Sequence, residues 1–169
     1  MGKLRILGID PGLQNTGWGV LETCGSGFNF IATGIIHTTP KLPLADRLAE
    51  IHRTLLEICS EFSPDEVSIE ETFMNNNPIS ALKLGHARGV AMLAPALLGI
   101  TVFEYAPNQI KKMIVGVGHA DKNQVEMMIR KILKGLNDQK IGPDAFDALA
   151  IALCHGYMRN SYVNRNVGK

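Results

Sequence analysis

Apolar positions along this chain change period in a regular order, and the changes divide it into strands and helices. Residues 4–10, "LRILGID", form a short apolar run that reads as a central strand. "TGWGVLE" and "FNFIATGIIHT" follow across a turn at Gly25 to Gly27, as an antiparallel meander. Leu44, Leu48, Ile51, Leu55 and Ile58 then recur at steps of 4, 3, 4 and 3, which predicts a helix over about 43–62. Pro64 and Asp65 break it, and "EVSIEE" is a short strand. Pro78 opens an apolar helix that runs to about Leu98 despite Pro95, and "TVFEYA" is another strand. Pro107 starts a short helix, "GVGHADK" is a turn, and Asp121 is placed to cap a helix carrying Val125, Met128, Ile129 and Ile132. Gly142 and Pro143 open the last helix, with Pro143 at the favoured first position. This order predicts an α/β domain around a mixed sheet.

Against this pattern the acids stand out. Asp10 ends the first strand, where a carboxylate is a poor strand residue and needs a partner, water or a cation. Glu70 and Glu71 end the strand after the first helix. Asp144 and Asp147 lie three apart in the opening turns of the last helix, on the face that continues through Ile151, Cys154 and Met158. Carboxylates from two strand ends and one helix start can therefore converge at one edge of the sheet. Each also has a plainer reading. Asp10 before Pro-Gly suits a turn, Asp144 suits the positive end of a helix dipole, and one of the two glutamates suits a solvated strand end. Taken together they call for neutralisation, because clustered carboxylates raise one another's pKa. Magnesium or manganese is the fitting counter-ion, and two such ions about 4 Å apart can activate a water and stabilise the leaving oxygen of a phosphodiester.

Composition narrows the setting. At 169 residues, 46% hydrophobic and 20% charged, the chain has the size and make-up of one globular domain. There is no signal-peptide pattern, and "GVAMLAPALLGI" is too short for a membrane span. Cys24, Cys59 and Cys154 show no paired metal spacing and fit reduced thiols, which predicts a cytoplasmic protein without membrane contact. The net charge of +1 identifies no partner, but residues 104–134 hold six Lys or Arg against three acids. The end of the chain holds Arg159, Arg165 and Lys169 and no acid among its last fifteen residues. The expected division is a domain over 1–157 and a basic tail over 158–169.

Four blocks carry a family resemblance: "ILGIDPGLQNTGWGV", "SIEETFMNNNPISALKLGHARGVA", "VFEYAPNQIKKMIVGVGHADKNQV" and "DAFDALAIALCH". In order, over about residues 4–156, they resemble the RuvC family of bacterial Holliday junction resolvases in the ribonuclease H-like superfamily. The resemblance implies a five-stranded mixed sheet flanked by helices, a homodimer, and magnesium-dependent symmetric nicking of four-way DNA in recombination and repair. It implies hydrolysis leaving 5′-phosphate and 3′-hydroxyl ends. It assigns Asp10, Glu70, Asp144 and Asp147 as catalytic carboxylates holding two magnesium ions, for which manganese can substitute. Glu71 stands where the family often has an amide, so its role is open.

By the same resemblance Phe73 is an aromatic near the junction centre. Lys111 and Lys122 match basic family positions and are expected to contact the DNA backbone, with Lys83 and Arg88 as further basic candidates. A branch-migration helicase complex of RuvA and RuvB is an implied partner. Gly12 and the turn after it are expected to leave room for a phosphate or metal. His86, His119 and His155 are not expected as ligands, although His119 beside the turn could touch a phosphate. The apolar helix around Ala81 to Leu98 is the expected dimer interface, with a wholly internal helix as the alternative.

Two rival functions share parts of this pattern. "LGIDPGLQNTGWGV" also resembles the first phosphate loop of actin-like and sugar-kinase ATPases, but those need a second nucleotide loop, and this chain is short for that. A non-catalytic junction-binding module is the other rival. Four clustered acids argue against it, because a binder of polyanionic DNA gains nothing from them.

Overall fold

The computed structural model describes residues 3–71, 77–116, 121–136 and 139–167, with side chains to Arg159. Three strands come first: β1 (Arg5–Asp10), β2 (Asn15–Cys24) and β3 (Gly27–His37). Then follow α1 (Leu44–Phe62), β4 (Glu66–Glu70), α2 (Pro78–Leu97) and β5 (Thr101–Tyr105). The chain ends with α3 (Pro107–Val115), α4 (Lys122–Ile132), β6 (Leu133–Lys134) and α5 (Pro143–Val167). The sheet runs β5-β4-β1-β2-β3-β6. β1, β2 and β3 form the antiparallel meander, while β4 and β5 add in parallel beside β1.

The sheet has six strands among the described residues where five were expected. The addition is β6, two residues that pair in parallel with Phe28 and Asn29 at the far edge of β3. Two residues continuing directly from a helix carry no period of their own, so pattern cannot reveal them. The expected Asp121 cap forms. Asp121 accepts from the Gln124 backbone N–H at 2.9 Å, and the Gln124 side chain accepts from the Asp121 N–H at 3.2 Å, a closed capping box. Asn77 caps α2 by accepting from the N–H groups of Ile79 and Ser80.

Period-2 alternation sorts the strands onto two faces. Leu7 and Ile9 of β1, Val67 and Ile69 of β4, and Val20 of β2 join the core under α1 and α2. Ile6, Leu21 and Phe28 join the other core, under α3, α4 and α5. Gly8 and Asp10 share the face of Ile6, and Glu66, Ser68 and Glu70 alternate with Val67 and Ile69. Beyond Ile6, the face towards α5 is therefore small or polar along both strands.

That lets α5 come very close. A Cβ on Gly8 would stand 2.1 Å from the Ala148 carbonyl oxygen, and one on Gly17 would stand 2.0 Å from that of Asp144. Neither contact is possible for another residue, so these two glycines seat α5 on the backbone of β1 and β2. Ala148, Leu149, Ala152 and Leu153 of α5 are wholly buried there. Burying a leucine of that kind stabilises by about 2 kcal/mol. The first turns of α5 consequently lie over the end of β1.

Candidate active site

Alternation aims Asp10 at α5, and the glycine contacts bring α5 to it. One carboxylate oxygen from each of Asp10, Asp144 and Asp147 lies within 4.8 Å of the others, with all three residues half-buried. Glu70 follows Ile69, the β4 partner of Ile9 in β1, so it ends β4 beside Asp10. Asp10, Glu70 and Asp147 line one cleft of about 270 Å³ together with Lys111, Lys122, Pro107 and Ile110. Asp144 belongs to the three-carboxylate group but not to the cleft wall, and Glu70 belongs to the wall but not to the group.

The electrostatics follow from this crowding. Burial first, and then Glu70, Asp147 and Asp144, push the Asp10 pKa from 3.8 up to about 8, against a smaller opposing pull from Lys122. Burial and Asp147 raise Glu70 as well, while Lys111 and Lys122 draw it back. Lys122 Nζ donates to Asp147 Oδ2 at 3.1 Å, and that bond, then the charge of Asp147, raises its own pKa. Without a metal ion among the acids, burial and crowding favour the protonated form of Asp10. The donor set is all carboxylate oxygen, which suits a hard divalent cation such as magnesium or manganese.

The turn after Asp10 is fixed from behind. Thr16 Oγ1 donates to the Gly12 carbonyl at 2.6 Å. Buried Arg47 of α1 donates to Thr38 Oγ1 at 2.9 Å and to the Leu13 carbonyl at 3.1 Å, and Thr38 also donates to Leu13. The space a Gly12 Cβ would take is already filled by the Asn15 carbonyl oxygen, 2.0 Å away. Gly12 thus closes its own turn, which corrects the expectation that it leaves room for a phosphate or metal. Arg47 was missed in the sequence because it sits within the amphipathic pattern of α1 like any solvated charge.

The other expected residues divide. Lys111 and Lys122 reach the cleft. Lys83 is exposed on α2, away from the cleft wall. Arg88 is ion-paired with Glu104 of β5, so part of its charge is already answered. Phe73 and His119 lie outside the described residues. The Glu71 backbone N–H donates to the Tyr105 carbonyl at 2.9 Å, continuing the β4–β5 ladder. His86 is exposed on α2. His155 is buried in a hydrogen-bonded group with Tyr105 and Glu66 at the other end of α5's contact with β4. The sequence signal for that group was Glu66-x-Ser68-x-Glu70, a strand face made only of polar residues.

Comparisons with known proteins identify the family. The sequence profile described as "Crossover junction endodeoxyribonuclease RuvC" matches residues 6–155. The RuvC protein of Rhodopseudomonas palustris strain BisB18 is 54% identical over 162 residues, covering 96% of this chain and 91% of that one. The RuvC protein of Agrobacterium fabrum is 51% identical over 156 residues, covering 92% and 91%. Among solved structures, T. thermophilus RuvC in complex with a Holliday junction substrate superposes with a TM-score of 0.87 at 36% identity, covering 94% of this chain and 96% of that one. The yeast mitochondrial Holliday junction resolvase Ydc2 shares the fold at a TM-score of 0.64 and 15% identity, covering 89% and 78%. With four carboxylates at one sheet edge and this match over most of its length, the chain belongs to the RuvC family of crossover junction endodeoxyribonucleases.

Proposed function

We propose that this chain is a structure-selective endonuclease that resolves four-way DNA junctions by paired symmetric nicks, in recombination and repair. The observation that carries the reading is the convergence of Asp10, Asp144 and Asp147 within 4.8 Å, in a chain of this family. Asp10, Glu70, Asp144 and Asp147 are the residues to hold two magnesium ions, or manganese in their place. When bound, the ions supply Lewis-acid stabilisation of the phosphodiester and activation of the attacking water. Hydrolysis leaves 5′-phosphate and 3′-hydroxyl ends, with no covalent enzyme intermediate.

The chain's own residues orient and neutralise. Asp10 and Glu70 sit at strand ends whose backbones are held on both sides by neighbouring strands. Lys111 and Lys122, which line the cleft, are the residues to meet the phosphate backbone, and Lys83 and Arg88 on α2 are the further candidates for DNA contact. Phe73 is the residue to stack on an unpaired base at the crossover, a contact of about 1–3 kcal/mol.

Two cuts need two sites, which a two-fold homodimer supplies. Support comes from α2, which buries Ala87, Ala91 and Ala94 yet leaves Leu82, Leu93 and Leu97 at least half exposed on its outer side. RuvA and RuvB are the partners that the family likeness suggests. No helix among the described residues is long and apolar enough to cross a membrane.

The test is a labelled four-way junction incubated with magnesium, with product ends mapped. Symmetric paired nicks bearing 5′-phosphates are expected, and a sedimenting dimer at micromolar concentration. Calcium should permit junction binding but little cleavage, because its looser coordination suits in-line attack poorly. Equal cutting of plain duplex, or brisk turnover in calcium, counts against the reading.

A further inference from the structure

The seam between α5 and β4 has two polar ends. Asp147, Ile151 and His155 recur every four residues along α5 and form one stripe, rising about 12 Å from first to last. Glu66, Ser68 and Glu70 alternate along the facing row of β4 over a matching span of about 13 Å. Glu70 and Asp147 belong to the acid cleft at one end. At the other, His155 Nε2 meets Glu66 Oε2 at 2.7 Å, and His155 Nδ1 meets the Tyr105 hydroxyl at 2.7 Å.

These bonds fix the imidazole fully. A carboxylate only accepts, so Nε2–H donates to Glu66 and Nδ1 accepts from the Tyr105 hydroxyl. Arg159 holds the other Glu66 oxygen at 2.8 Å, and Phe103 lies against the ring at 4.4 Å between centroids. Tyr105 is itself the β5 partner of Glu70. His155 therefore ties α5 to the first residue of β4 and to the β5 residue beside the cleft glutamate.

We propose that His155 is a positioning residue for the acid cleft. Added to the Gly8 and Gly17 seats on β1 and β2, its two hydrogen bonds fix the axial register of α5 on β4 and β5, and so complete the placement of Asp144 and Asp147 against Asp10 and Glu70. The β4 row towards α5 offers no apolar side chain, so non-directional packing cannot hold register on that side. Directional bonds can, since a slip of one residue moves the helix about 1.5 Å and turns it by about 100°. The inference rests on the reading of the cleft as a divalent-metal site.

Manganese binding to the full chain without DNA, followed by electron paramagnetic resonance, tests it apart from activity. His155→Leu should weaken manganese binding about tenfold. His155→Gln, which keeps a donor towards Glu66, should recover most of the loss, and metal-free junction binding should not change. If His155→Leu does not fold cooperatively, Tyr105→Phe carries the test, with severalfold weaker binding expected from the loss of one hydroxyl. Folded variants that bind manganese as tightly as the parent chain overturn the inference. A parent chain whose manganese binding is absent, or survives Asp10→Asn, overturns the metal-site reading instead.

Discussion

The two ends of the α5–β4 seam are built from similar residues and behave oppositely. At the Glu66 end, one carboxylate meets His155 and Arg159, and each charge or dipole finds an opposite. At the Glu70 end, four carboxylates gather around two lysines, and Asp10 is forced up to about 8. A satisfied polar group stabilises a fold, whereas an unsatisfied cluster of like charge costs stability and points to a ligand. The contrast separates the structural end from the chemical end without reference to any relative.

The largest effect is expected from breaking the chemical end. Asp147→Asn or Asp10→Asn should lower magnesium-dependent junction cleavage at least about a hundredfold. Junction binding should stay level for Asp10→Asn, because burial and the neighbouring acids already favour its neutral form without metal. It should stay level or tighten for Asp147→Asn, which removes a negative charge from the cleft proposed to meet phosphate. Cleavage and gel-shift assays on the same preparations read both. Substantial cleavage by Asp10→Asn removes the basis for assigning the cleft.

The contrast also has a pH signature, and its two halves carry opposite signs. Asp10 titrates near 3.8 in the unfolded chain and at about 8 when folded, so between these values the folded state holds a proton the unfolded state has lost. Metal-free stability should fall as pH rises across that window, by at most roughly 1.4 kcal/mol per pH unit. Glu70, also raised by burial and Asp147, acts in the same direction. His155 is held below 6.5 by burial, more than Glu66 restores, so below 6.5 the unfolded chain holds the extra proton. That end gains stability as pH rises towards 6.5. Melting curves in chelator should show a net loss of stability from pH 6.5 to 8 that Asp10→Asn largely abolishes. Magnesium should restore the parent chain at pH 8 more than the Asn variant.

Much of this was legible in the sequence because periodicity and local chemistry agree there. The alternation in "EVSIEE", the 4-3-4-3 steps of α1 and the Asp121 cap each specify their element through nearby residues. Asp10, Glu70, Asp144 and Asp147 were legible as acids at element ends. Their convergence depends on Gly8 and Gly17, whose role becomes visible only once α5 is seen lying on them. Arg47 and His155 act through partners far along the chain, Leu13 and Thr38 in one case, Glu66 and Tyr105 in the other. A single side chain whose partners are 50 or 89 residues away leaves no mark on local pattern.

A middle-sized effect should come from Lys122, which stands on the chemical end as its counter-charge. Its ammonium bonds Asp147 and also lowers Asp10 and Glu70. Lys122→Gln removes a cation that repels an incoming metal, so manganese binding should tighten by a few-fold, consistent with about 0.5–1 kcal/mol for an exposed pair. Cleavage at saturating metal should nonetheless fall if the same side chain also neutralises phosphate, as proposed above. If metal binding and cleavage move in the same direction, Lys122 serves only one of these roles.

The smallest effect belongs to Arg159, at the structural end. It pairs with Glu66 Oε1 at 2.8 Å, but its side chain is 42% exposed against 12% for Glu66. Water and salt screen such a pair, so its contribution should be about 0.5 kcal/mol. Glu66 keeps its bond to His155 when Arg159 is lost. Arg159→Gln should therefore lower the melting temperature by about 1–2 °C in dilute buffer, with the difference fading in high salt. Manganese binding should be unchanged, because the His155 bonds that set helix register remain. A drop of many degrees, or weakened manganese binding with His155 intact, would show that the guanidinium rather than the imidazole anchors that end of α5.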